Sequence, residues 1–195
     1  MRRMLRKNPP IIALICVVAL VSVTAVHGVT LETAELLGFA GILLYASLTD
    51  LKERRIPNAC IIAALAVRVA YLMLAFAFGW LNMQAIGYYV FSACAIGLAL
   101  VAMVLVADRV FGRESMGGGD LKLFFAAGFY FGWQQGLVVV LLSCVFGIAA
   151  GLVGKFEGGG APGEEDEFLK RTLPFGPFIA AACFIVMLIG NAFSL

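Results

Sequence analysis

Residues 59–80 read ACIIAALAVRVAYLMLAFAFGW, an unbroken apolar run whose only charge is Arg68. A helix needs about 20 such residues to cross a ~30 Å hydrocarbon core. Inside that core each backbone amide must find its partner within its own helix or in a closed barrel. Similar runs occur at 11–29, 31–49, 85–107, 121–135, 136–154 and 174–195, the fifth of the seven in chain order being short. Hydrophobic residues make up 63% of the 195 and charged ones 13%, half the share of a soluble domain, with a mean hydropathy of +1.01. The period-2 alternation of membrane strands is absent. The expectation is an all-α, polytopic integral membrane helical bundle: a six-helix core over residues 31–195, preceded by a basic segment and one extra N-terminal transmembrane helix in residues 1–30.

Charge placement orients these spans. The net charge of +2 is uninformative, but Arg2, Arg3, Arg6 and Lys7 precede the first run, and the other clusters of Lys and Arg lie at 50–55, 108–113 and 155–171. The alternate loops, around HGVTLETAE, GWLNMQ and GWQQG, hold no Lys or Arg. The positive-inside rule then places the N-terminus in the cytoplasm and the C-terminus outside. The first run is long and lacks a clean small-residue cleavage site, so it reads as an uncleaved helix and not a secretory signal. The stretch GGGAPGEED at 158–166 reads as a solvated linker. The expected partner surface is the lipid bilayer, nothing supports nucleic-acid binding, and a homo-oligomer is left open.

Cofactor and metal chemistry find little material. The five cysteines are scattered singly with no CxxC pair, and His27 is the only histidine. That excludes an HExxH zinc site and leaves no basis for a metal or a cofactor.

The acids are more informative. Of four aspartates, Asp50 closes the second apolar run and Asp120 opens the fifth. Two spans lie between them, so both return to the same membrane face. A carboxylate at a membrane boundary is costly to dehydrate and is a functional candidate by default. Two neighbouring carboxylates tend to share one proton, and such a pair can hydrolyse an amide, one acid activating water while the other protonates the carbonyl oxygen. The helix dipoles put the shared proton on Asp50, at the negative end of its helix, and not on Asp120, at a positive end. The same two acids also suit a small transporter that binds a cation or proton. Gly117, Gly118 and Gly119 precede Asp120, and glycine allows positive φ and close backbone approach, here to an extended substrate strand.

Three motifs carry a family resemblance. MGGGDLKLFFAAGFYFGW holds Gly117, Gly119, Asp120, Lys122 and Leu123 in a GxGD-x-KL pattern. TDLKERRIPN at 49–58 supplies Asp50, Ile56, Pro57 and Asn58, and LPFGPFIAAA at 173–182 supplies Pro174, Gly176 and Pro177. Together they resemble the prepilin peptidases, GxGD-type aspartyl proteases, over roughly residues 31–195. The resemblance implies that Asp50 and Asp120 are the catalytic pair. It also implies a substrate, a type IV pilin-like precursor whose short basic leader is removed at the cytoplasmic face of the bacterial inner membrane.

Bifunctional members of that family carry an N-terminal methyltransferase region with a four-cysteine motif. This sequence has no CxxC and looks like the short, peptidase-only forms of Flp or Tad pili, with the helix at 11–29 as an addition. The mature segment of such precursors typically has a glutamate near its start, which Lys52, Arg54, Arg55 or Lys122 can attract. Gly117, Gly118, Gly119, Lys122, Lys52, Arg55, Pro174 and Gly176 are therefore the candidate substrate-binding residues. A presenilin-like intramembrane protease shares GxGD and is the alternative enzyme, although its first aspartate lies in an apolar YD pair.

Overall fold

The computed structural model describes residues 18, 21–25, 28, 30–112, 116–157 and 175–189. Among them every regular element is helical, as expected of an all-α membrane bundle. The expected helix at 11–29 falls mostly outside the described residues, as do His27, Pro174 and the linker at 158–166; residues 21–25 are helical and Val23 is fully buried.

Five helices follow. Helix α1 spans Leu31–Glu53, with the Thr30 hydroxyl accepting from the Thr33 N–H at its start and Arg54 in the left-handed region at its end. Helix α2 spans Asn58–Ala77 behind the extended Pro57, which fixes the entry angle and has no amide hydrogen to satisfy. Helix α3 spans Met83–Phe111, capped by the Asn82 side chain on the Ala85 N–H and ended by Gly112 at φ 64°. Helix α4 spans Gly118–Glu157 and α5 spans Gly176–Ile189. Helices α1 to α3 are long and apolar enough to cross a membrane, as is α4 by length and composition when taken as one run. Large side chains such as Leu98, Ile62 and Leu141 stand about two-thirds to three-quarters exposed on the outer surface, as they do where lipid is the solvent.

Helix α4 is not one rod. Gly132 breaks it with φ 78° and ψ 178°, a conformation open essentially to glycine alone. A Cβ built on Gly136 would lie 3.3 Å from the Gly128 Cα. Two turns of continuous helix would separate those residues by about 12 Å. The chain therefore doubles back at Gly132, and α4 is a hairpin with limbs at 118–131 and 133–157. The sequence predicts this pair of spans but puts the reversal at 135–136. The deciding contacts are tertiary: the Tyr88 ring of α3 fills the space a Cβ on Gly132 would need, and Ile96 of α3 fits against both Gly128 and Gly136. Small residues let membrane helices approach closely in this way.

The core lies where α1, α4 and α5 meet, around Phe39, Leu43, Leu123, Phe124, Ala127, Tyr130, Ile179 and Met187. Phe39 and Tyr130 stack with ring centroids 3.7 Å apart. Arg68, the lone charge in its run, is 4% exposed and pairs with Glu35 of α1 at 2.9 Å. Among the described residues no buried side-chain nitrogen or oxygen lacks a hydrogen-bond partner.

Candidate active site

Asp50 lies one turn before the end of α1 and is buried, at 6% exposure. Its Oδ2 accepts the backbone N–H of Gly176, the first residue of α5, at 2.9 Å. Glycine is needed there because an added Cβ would sit 2.8 Å from that oxygen and 3.1 Å from the Asp50 Cβ. Phe175 seats this helix start: its ring lies 6.4 Å from that of Phe124 and occupies the space beside Gly147.

Asp120 occupies the first turn of α4, half-buried, and the charge of Asp50 acts on it through space. Two further contacts join the segments that carry the acids. Gly119 packs against Ile56, whose Cβ would be 3.1 Å from a Cβ on the glycine. Lys122 Nζ donates to Asn58 Oδ1 at 3.0 Å. The segments 49–58, 116–123 and 175–178, far apart in sequence, thus meet at one end of the bundle.

The residues expected to bind substrate divide on inspection. Gly117, Gly118 and Lys122 are exposed, and Lys52 and Arg55 stand exposed at the end of α1. Gly119 and Gly176 instead face protein, each filling a close contact between motifs. Pro174 lies outside the described residues. The glycines before Asp120 do not use positive φ; among described glycines that conformation belongs to Gly28, Gly79, Gly112 and Gly132. Their chemistry is close approach: a Cβ on Gly117 would be 3.3 Å from the Asp120 Oδ2.

Two features are sharper here than in the sequence. Arg54, held at φ 55° with its N–H on the Asp50 carbonyl, is the cation whose charge acts on the Asp50 carboxyl. Its sequence signal was its place in the basic run, which did not distinguish it from Lys52 and Arg55. The Gly176 amide has no side-chain signal at all; only the glycine itself marks a close approach.

The comparisons agree with one another. The family model described as the type IV leader peptidase family matches residues 37–152, which include both acids. A protein of Burkholderia pseudomallei named prepilin leader peptidase/N-methyltransferase is 29% identical over 158 residues, covering 81% of this chain and 47% of the relative. One of Pseudomonas putida with the same name is 28% identical over 191 residues, covering 93% and 59%. One of Aeromonas hydrophila is 36% identical over 107 residues, covering 55% and 34%. The chain therefore spans about a third to three-fifths of the length of these relatives. No solved structure matches it.

Proposed function

The chain belongs to the type IV leader peptidase family, and on that premise we propose that it is a membrane-embedded aspartyl endopeptidase cleaving pilin-like precursors through Asp50 and Asp120. The observation that carries the reading is the convergence of their segments: Gly119 beside Asp120 packs on Ile56, Lys122 bonds Asn58, and Asp50 is held by an amide of a third helix.

The chemistry needs one proton on the pair. The dipole of α1 alone would leave that proton on Asp50, but the Gly176 N–H brings the positive end of α5 onto Asp50 and favours its ionised form. We therefore assign the proton to Asp120. Asp50 takes a proton from water as the oxygen attacks the scissile carbonyl carbon, and Asp120 gives its proton to the carbonyl oxygen. Collapse of the tetrahedral adduct breaks the C–N bond, the amine leaves with the proton held by Asp50, and the adduct's hydroxyl proton returns to Asp120.

Substrate geometry follows from placement. The acids lie at the end that the positive-inside rule assigns to the cytoplasm, with the N-terminus inside and the C-terminus outside. A precursor with a short basic leader and an apolar helix would present its junction there, in a bacterial inner membrane. Exposed Lys122, Lys52 and Arg55 ring that end, available to an acidic residue near the start of the mature segment. Gly118 leaves open space for an extended backbone, and Gly117 keeps a side chain away from the Asp120 Oδ2. The proposal covers peptide cleavage by residues 31–195. Methyl transfer, part of the relatives' name, is not included, because the sequence holds no CxxC pair.

The test is cleavage of a coexpressed pilin-like precursor in membranes. Asp50→Asn and Asp120→Asn should each abolish the shift to mature size while the protein still accumulates. Cleavage by both variants would sink the peptidase reading and favour a cation- or proton-binding role for the two acids.

A further inference from the structure

Arg68 lies far from the acid pair, yet its bonds run to the two elements that carry it. Nη1 meets both carboxylate oxygens of Glu35 at 2.9 and 3.0 Å. Nε donates to the Phe129 carbonyl and Nη2 to the Tyr130 carbonyl, each at 3.0 Å. The guanidinium lies 4.3 Å from the Tyr89 ring centroid, and Tyr130 donates its hydroxyl to the Ala64 carbonyl at 2.8 Å.

The carbonyls are the informative part. Phe129 and Tyr130 are in the last turn before Gly132, where the helix breaks and its final carbonyls lose their usual amide donors. The limb 118–131 is about 20 Å long, shorter than a ~30 Å hydrocarbon core. With Asp120 at one boundary, the broken end falls short of the other, at a depth without water to satisfy it. A planar fork of donors answers two adjacent carbonyls in a way a lysine ammonium cannot, and its charge suits the negative end of a helix. Glu35 balances that charge.

Glu35 is near the start of α1 and Asp50 near its end. Phe129 and Tyr130 end the first limb of α4 and Asp120 begins it. The link through Arg68 therefore ties two rods together at one end, and each rod carries one acid at the other. An axial slip of either rod displaces its carboxyl by the same amount.

We propose that Arg68 is a positioning residue for the acid pair: by capping the broken limb of α4 and pairing with Glu35 on α1, it sets the axial register of Asp120 against Asp50. The inference rests on the peptidase reading above. Misplacement of reacting groups by about 1 Å can cost on the order of 100-fold in rate, so the effect belongs in kcat.

The experiment uses the full chain in proteoliposomes and a synthetic precursor with a short basic leader and an apolar helix. The double variant Glu35→Gln/Arg68→Met removes both buried charges and leaves the two carbonyls without the fork. Expected is a fall in kcat of about 10- to 100-fold with KM within about twofold and a displaced pH–rate profile. Wild-type kcat and an unchanged profile in the folded double variant overturn the proposal. If that variant does not accumulate, Arg68→Lys decides: it keeps the charge and loses the fork, so the same kcat loss supports the positioning role and wild-type kcat overturns it. Asp120→Asn runs in parallel. Its loss of cleavage beside wild-type kinetics in the Arg68 variants overturns this inference alone, whereas cleavage by Asp120→Asn overturns the peptidase reading and this one with it.

Discussion

The first amide of α5, at Gly176, donates to the Asp50 carboxylate across 2.9 Å, joining the end of one helix to the start of another. The contact depends on a missing side chain, since a Cβ at Gly176 would stand 2.8 Å from Oδ2. Gly176→Ala should therefore cut the rate of precursor cleavage at least tenfold and lower stability by about 1–3 kcal/mol, the usual range for overpacking. Cleavage kinetics and thermal unfolding of the purified protein check both parts, and a variant with wild-type kcat would show that the bond to Asp50 is dispensable.

Gly132→Ala meets two obstacles. Its backbone conformation costs a non-glycine residue about 1–3 kcal/mol, and its Cβ would lie 2.7 Å from the Tyr88 ring. Shrinking the ring should remove only the second. Gly132→Ala should lower the unfolding midpoint, and Tyr88→Ala added to it should recover part of the loss, with the backbone term remaining. Full recovery would mean that the reversal does not depend on the φ of Gly132.

Gly119 and Ile56 should behave as a coupled pair. A methyl at Gly119 would be 3.1 Å from the Ile56 Cβ, forcing the DLKERRIPN segment away from GGGD. Gly119→Ala should reduce activity, and Gly119→Ala/Ile56→Gly, which removes the opposing Cβ, should restore part of it. A double-mutant cycle on cleavage rates should give a coupling of about 0.5–3 kcal/mol, and strict additivity would argue against contact.

Lys122 offers a contrast, because its bond to Asn58 is exposed. Asn58→Ala should change stability by less than about 1 kcal/mol. If Lys122 meets an acidic residue of the precursor, Lys122→Met should raise KM several-fold with little change in kcat, and a precursor lacking that acid should show no difference between the two enzymes. Equal loss on both precursors would remove Lys122 from recognition.

Much of this arrangement was legible in the chain. Two spans between Asp50 and Asp120 predict both at one end, and they meet there because spanning segments alternate direction whatever their packing. The reversal after residue 131 was expected a few residues late, since the sequence marks it with polar GWQQG while the break itself is fixed by a left-handed glycine under Tyr88. Arg68 was visible as a charge in an apolar run, yet its partner was not. Glu35 lies in a segment that reads as a loop flank, and only the stacking of α1 on α2 brings the two within 2.9 Å.

By itself the sequence determined the number and course of the apolar runs, that the two acids gather at one end, and the absence of a zinc motif. Those properties are additive along the chain: transfer to lipid is decided residue by residue, and loop charge by counting. Tertiary structure alone decided that Gly176 holds Asp50, that Arg68 caps the broken limb of α4, and that Gly119 packs against Ile56. These depend on which helix faces meet, and in a bilayer, where lipid tails are as apolar as the helices, hydropathy cannot choose the faces. Close fit and the need to satisfy each buried polar group choose them.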